Sequence, residues 1–247
     1  MLYMGSNQED CTIVANIINE YIDKKGKNET ECFDLTVGGA NILDKIEAKT
    51  LWGYDISPTL ISLHMSMTNP NSGNLYTFNK EMWDACYHDY KILHQQKGNT
   101  KTLDDYDYYA ARHGLKLLHV IGEVEWYGSF GHGGFSQGMA PIGKRDYYKE
   151  ARMAHLEQRM TTNYPYINFR LGHYAYVNTP PSSVIIAHIC SPKNYQWCGK
   201  FEKFPFYKWA LAKSKTNPIF IIDDNPLADI KKIETLKNGN LYFLNNM

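Results

Sequence analysis

Apolar positions along the chain switch between the helical and the strand period. Residues 12–24 (TIVANIINEYIDK) set Ile13, Val14, Ile17, Ile18 and Tyr21 at helical spacing. Residues 31–37 (ECFDLTV) then read as a short strand closed by Gly38-Gly39, followed by a helix from Ala40 to about Ala48. A second strand covers Thr50 to Ile56, with Asp55 near its end, and Ser57-Pro58 supplies the N-cap and first-turn residues of a helix. Helices are expected over 80–97, 103–126 and 145–160, then a strand over 167–172. Residues 182–189 (SSVIIAHI) are apolar enough to sit centrally in a parallel sheet. A helix from Phe201 to Lys215, a strand at 218–222, a helix near 228–237 and a last strand at 241–244 complete the pattern. The alternation predicts an α/β fold, a three-layer sandwich with a mainly parallel sheet, interrupted by a helical insertion at 79–166.

Charge refines this picture more than composition does. The formal net charge is zero. Yet residues 144–215 hold 12 Lys/Arg against 4 Asp/Glu, while residues 1–143 hold 11 against 18. A local patch, not the sum, governs long-range attraction to phosphate. The basic segment is therefore either a footprint for DNA or RNA, with Lys144, Arg145, Lys203, Lys208 and Lys213 as its candidate contacts, or a solvated face balanced by an acidic one. Nineteen Tyr and five Trp suit packing and base stacking alike. No apolar run is long enough for a membrane span and no secretory leader is visible, so a cytoplasmic protein without a membrane partner is expected. Five cysteines at irregular spacing fit a reduced compartment.

The chemistry concentrates at a few points. Glycines directly after a strand let the backbone approach a ligand, and a carboxylate ending the next strand can accept both hydroxyls of a ribose. Gly38, Gly39 and Asp55 fit that use, and equally an ordinary tight turn with a helix-starting charge. His188, Cys190, Cys198 and His173 are metal-ligand types, but the His-x-Cys-x7-Cys spacing matches no standard zinc knuckle, and no metal is expected. Cys190 with nearby His188 has the composition of an activated thiol; a buried small apolar side chain is the simpler account. Phe130 and Phe135, among the glycines of 129–143, form either a loop that meets DNA or a packed lid. The tyrosines of 106–109 read as a core helix face.

Several segments, taken in order, resemble phage-encoded Dam-type DNA adenine methyltransferases. They are MLYMGS (1–6), FDLTVGGANILDKI (33–46), GYDISPTLISL (53–63), SFGHGGFSQGMA (129–140) with RDYYKEA (145–151), GHYAYVNTPPSSVII (172–186), FEKFPFYKWALAKSK (201–215) and PIFIIDDNP (218–226). The resemblance runs from Met1 to about Leu227. It implies one Rossmann-like class I S-adenosylmethionine-dependent domain over 1–247, with 79–166 in the position of a target-recognition lobe. It implies S-adenosylmethionine as cofactor, held by Asp34, Gly38, Gly39 and Asp55, and a viral or mobile-element source.

The departures from that family bear on function. After the strand matching 183–187 the family carries Asp-Pro-Pro-Tyr, whose Asp and a backbone carbonyl grip the adenine amine while the Tyr stacks on the flipped base. Here the positions read His188, Ile189, Cys190 and Ser191. Losing the groups that position the amine removes several orders of magnitude in rate. The family's N-terminal basic residues are replaced by Asn7-Gln8-Glu9-Asp10, and its Glu-Pro-Phe by Asp34-Leu35-Thr36. The expectation is a catalytically degenerate homologue acting as a nucleic-acid- or host-protein-binding module, in a counter-defence or inhibitory role. An active methyltransferase with altered chemistry or target, and a structural assembly subunit, are the alternatives.

Overall fold

The computed structural model describes residues 8–68, 79–97, 118–127, 146–161, 163–189, 201–227 and 229–246. In chain order the elements are α1 (Gln8–Lys25), β1 (Glu31–Asp34), β2 (Thr50–Asp55), α2 (Pro58–Thr68), α3 (Lys80–Lys97), α4 (Leu118–Tyr127), α5 (Tyr147–Arg159), β3 (Ile167–Leu171), β4 (Val184–His188), α6 (Lys203–Lys213), β5 (Ile219–Asp223), β6 (Lys231–Leu236) and β7 (Gly239–Leu244). Two compact units emerge, one built on Ser57–Pro165 and the other on Gly5–Ile56, Tyr166–Lys193 and Lys200–Met247.

The second unit holds a seven-stranded sheet in the order β3-β2-β1-β4-β5-β7-β6. The pairs from β3 through to β5 are parallel, and β7 runs antiparallel to both β5 and β6. This is the expected Rossmann-like α/β sandwich. Its order departs from the dinucleotide-binding 3-2-1-4-5-6 by one reversed strand set between the fifth and the sixth. On one face, α6 contributes Phe206, Tyr207 and Ala210 to a core with Phe33, Ile185, Ala187, Ile219 and Ile221. On the other lies α1, whose Tyr21 ring meets Phe220 and Phe243 edge-on at 5.5 and 5.3 Å. Helices on both faces leave β4 and β5 no wet side. Their apolar positions therefore run unbroken, VIIA and IFII, instead of alternating.

Two expected helices are absent. Residues 40–48 form turns and a short 3-10 helix at Leu43–Lys45. Ala40 sits in the left-handed region (φ +58°), and the Asn19 side chain of α1 takes the backbone groups a helix would use internally. Its amide donates to the Lys45 carbonyl at 2.9 Å and accepts from the Glu47 N–H at 2.8 Å. Residues 231–236 are a strand, not the helix expected near 228–237. The two-residue turn Lys237-Asn238, followed by Gly239 at φ +130°, joins β6 to β7, and the Asp10 carboxylate accepts the Lys237 and Asn238 N–H groups at 2.9 and 3.1 Å.

The first unit contains α2 and residues 79–165 of the expected insertion. Ser57 caps α2 as expected, its Oγ accepting from Leu60 N. Trp83, Cys86 and Tyr90 of α3, Val120, Ile121 and Val124 of α4, and Ala151 of α5 form its core. Gly122 lets α4 close on α2: a Cβ there would lie 2.6 Å from the Thr59 carbonyl oxygen. The expected helical stretch 103–117, Tyr106–Tyr109, Phe130 and Phe135 lie outside the described residues. Among the described residues no helix is long and apolar enough to cross a membrane.

Candidate functional site at the strand tips

In an open parallel sheet, ligands bind beyond the carboxyl ends of the strands, where the strand order reverses. That point lies between β1 and β4 in this chain. Strand alternation puts Phe33, Ile185 and Ala187 in the α6-side core and turns Asp34, Asp55 and His188 toward the opposite face. All three stand at strand ends. The four expected cofactor residues, Asp34, Gly38, Gly39 and Asp55, thus lie together at the tips of β1 and β2.

Asp34 is buried at 3% exposure. Its Oδ1 accepts the Thr36 N–H at 3.1 Å. Burial, reinforced by the neighbouring Asp55 charge and opposed by the Thr36 hydrogen bond, pushes its carboxyl up to about 7. After Leu35 the chain turns back: Val37 N donates to the Tyr54 carbonyl at 2.9 Å, and Ala40 N to the Val37 carbonyl at 2.8 Å. Gly38, at φ +47°, makes that turn, and its N–H donates to Asp55 Oδ2 at 3.2 Å. The glycine turn and the carboxylate are therefore one structure, although they lie 17 residues apart in sequence.

The β4 tip departs from an adenine-gripping site. His188 is half-buried, and burial lowers its imidazole's proton affinity against the pull of Asp224, Asp223 and Asp10. Its backbone N–H donates to Thr36 Oγ1 at 2.6 Å, which ties β4 to β1 across the order reversal. Ile189 is buried in the α6-side core, and its N–H donates to the Ile222 carbonyl at 2.8 Å. Cys190, Ser191 and Cys198 lie outside the described residues. His173 accepts the Ala175 N–H at 3.3 Å, and among the described residues no group of three or more His, Cys, Asp or Glu is placed to hold a metal. Cys11, Cys32 and Cys86 are buried free thiols, all raised by burial, Cys11 to about 11 and Cys86 to about 12.

The basic candidates separate. Lys203 donates to Asp223 Oδ1 at 2.5 Å and to the Asn225 carbonyl at 3.1 Å. The Tyr207 hydroxyl donates to the other Asp223 oxygen at 2.7 Å, so the α6 N-terminus is clamped to the β5 tip. Lys213 donates to the Thr179 carbonyl at 2.9 Å. Lys208 is exposed, while Lys144 and Arg145 lie outside the described residues. Thr36, Asp223 and Tyr207 escape a reading of the sequence. A pattern that could have found Asp223 is an apolar strand closing on Asp, which ECFD, TLWGYD and IFIID all share. No protein-family model and no curated protein matches the chain.

Proposed function

We propose that this chain is a degenerate relative of Dam-type adenine methyltransferases, holding an adenosine-type cofactor pocket and serving as a binding module without adenine methylation. One observation carries the reading. Asp34, the Gly38-Gly39 turn and Asp55 converge beside the order reversal, while the β4 tip offers a neutral imidazole and a buried Ile189 in place of an amine acceptor and a proline. The fold is compatible with it, since the mainly parallel, Rossmann-like sheet is the one the resemblance implies. A buried carboxyl beside a second carboxylate suits a ligand bearing an ammonium or sulfonium charge. S-adenosylmethionine has both charges. The proposed partner is a nucleic acid or a host protein, and the proposed role, drawn from the resemblance to phage enzymes, is counter-defence.

Calorimetry with S-adenosylmethionine tests the pocket: saturable binding is expected, weakened at least about tenfold by Asp34→Asn or Asp55→Asn. No binding would remove the pocket from the proposal. Incubation of mixed DNA and RNA with methyl-labelled cofactor tests the degeneracy, and methylated adenine formed at an enzymatic rate would refute it. Because His188 is kept neutral and can accept a proton, altered transfer chemistry is the second reading. It requires a labelled product other than methyladenine whose formation is lost in His188→Gln.

A further inference from the structure

We propose that Thr36 is the positioning residue of the strand-tip site, and that the site it shapes takes a ligand's ammonium group, not its sulfonium. This rests on the adenosine-type pocket proposed above and adds the residue and the charge on which binding there turns. Thr36 serves both sides of the order reversal. Its backbone N–H donates to Asp34 Oδ1 at 3.1 Å, and its side-chain Oγ1 accepts the His188 N–H at 2.6 Å.

The second bond replaces a rung of the sheet. β1 and β4 pair in parallel with Asp34 opposite Ile186, and Leu35 N donates to the Ile186 carbonyl at 2.9 Å. Continued regularly, the next rung would run from the His188 N–H to the Leu35 carbonyl. The chain turns at Leu35 and Thr36 instead, and Thr36 Oγ1 stands in for that carbonyl. A β-branched side chain has few rotamers, so this bond holds the turn and the β4 tip in one arrangement.

Two acceptors are left over. Leu35 is buried at 2% exposure, and no donor among the described residues meets its carbonyl. Asp34 commits Oδ1 to Thr36, and no donor among the described residues meets Oδ2. Buried carbonyls are nearly always paired, and a buried carboxylate short of hydrogen bonds is costlier still. Adjacent residues at one strand tip thus call for a ligand group that brings hydrogens. An ammonium brings N–H donors together with a positive charge, whereas a sulfonium brings the charge alone.

Calorimetry with related ligands tests this. S-adenosylhomocysteine keeps the ammonium of S-adenosylmethionine and lacks the sulfonium; 5′-methylthioadenosine lacks both. The first two should bind the parent within about threefold of each other, and 5′-methylthioadenosine at least about tenfold more weakly. Thr36→Val keeps the side chain's shape and removes the acceptor. It should weaken both ammonium ligands at least about fivefold and leave 5′-methylthioadenosine within about twofold, which also shows the variant to be folded. Thr36→Ser should restore the parent's affinities. In the Asp34→Asn background, Thr36→Val should cost less than about twofold, because Thr36 acts through Asp34. Equal weakening of all three ligands by Thr36→Val, no rescue by Thr36→Ser, or S-adenosylhomocysteine binding as weakly as 5′-methylthioadenosine would each overturn the proposal. Unchanged S-adenosylmethionine binding in Thr36→Val would overturn it and leave the pocket standing. A parent that binds no S-adenosylmethionine would take down the pocket and this proposal together.

Discussion

Asp34 is the residue at which folding and the proposed cofactor binding pull apart. A carboxyl at 3% exposure, with one backbone hydrogen bond and a second carboxylate nearby, is a poor choice for stability. Its folded value near 7 lies above the ordinary 3.8, so the native state keeps a proton that the unfolded chain gives up. Stability from this group is greatest below about pH 4, declines as pH rises toward 7, and is flat beyond. Asp34→Asn keeps an acceptor for the Thr36 N–H and removes the charge. It should raise stability at pH 8 by roughly 2–4 kcal/mol over the parent and make little difference at pH 4, as read by urea unfolding at the two values. The same change should weaken a cationic ligand. Greater stability together with lost binding marks a group kept for function.

At the scale of elements, what the sequence discloses depends on how local the deciding interaction is. The buried strands β4 and β5 and the Ser57-capped α2 declare themselves because their signals lie within a few residues. So does the candidate pocket, since glycines after β1 and an Asp ending β2 are local patterns. The helix expected over 40–48 fails because Asn19, more than 20 residues away, supplies the competing hydrogen bonds. The helix near 228–237 fails for a local reason, the hairpin turn at Lys237-Asn238 with Gly239 at positive φ just after it, backed by Asp10 from the far end of the chain. The lysines of α6 mislead in the same way as 40–48: a charge run does not disclose that Lys203 faces Asp223 across 20 residues. If Asn19 overrides the helix, Asn19→Ala should cost roughly 1–3 kcal/mol by leaving the Lys45 carbonyl and Glu47 N–H unpaired. It should also speed amide hydrogen exchange at Glu47. An unchanged exchange rate there would mean that Ala40 and the turn alone prevent the helix.

For the whole molecule the question is how the proposed relationship to adenine methyltransferases could be tested by building in their motif, and the fold ties part of that stretch into the core. The family's motif would need four substitutions together, His188→Asp, Ile189→Pro, Cys190→Pro and Ser191→Tyr. Only some of these act at the surface of the site. Ile189 is buried at 2% exposure and its N–H bonds Ile222 on β5, so a proline there removes both a core side chain and a ladder hydrogen bond. An Asp at 188 would join Asp34, Asp55, Asp223 and Asp224 at neighbouring strand tips, where the Asp55 charge already raises Asp34 and the charges of Asp223 and Asp224 act on residue 188. The fourfold variant should therefore be less stable than the parent by several kcal/mol at pH 8, with part of that loss recovered at pH 5 as the added carboxyl takes a proton. Asp34→Asn, introduced beside it, should recover more of the loss than the sum of separate effects predicts, because it relieves a carboxylate in the same cluster. Strict additivity between the two, measured by urea unfolding, would show that the tips of β1 and β4 do not share an electrostatic environment.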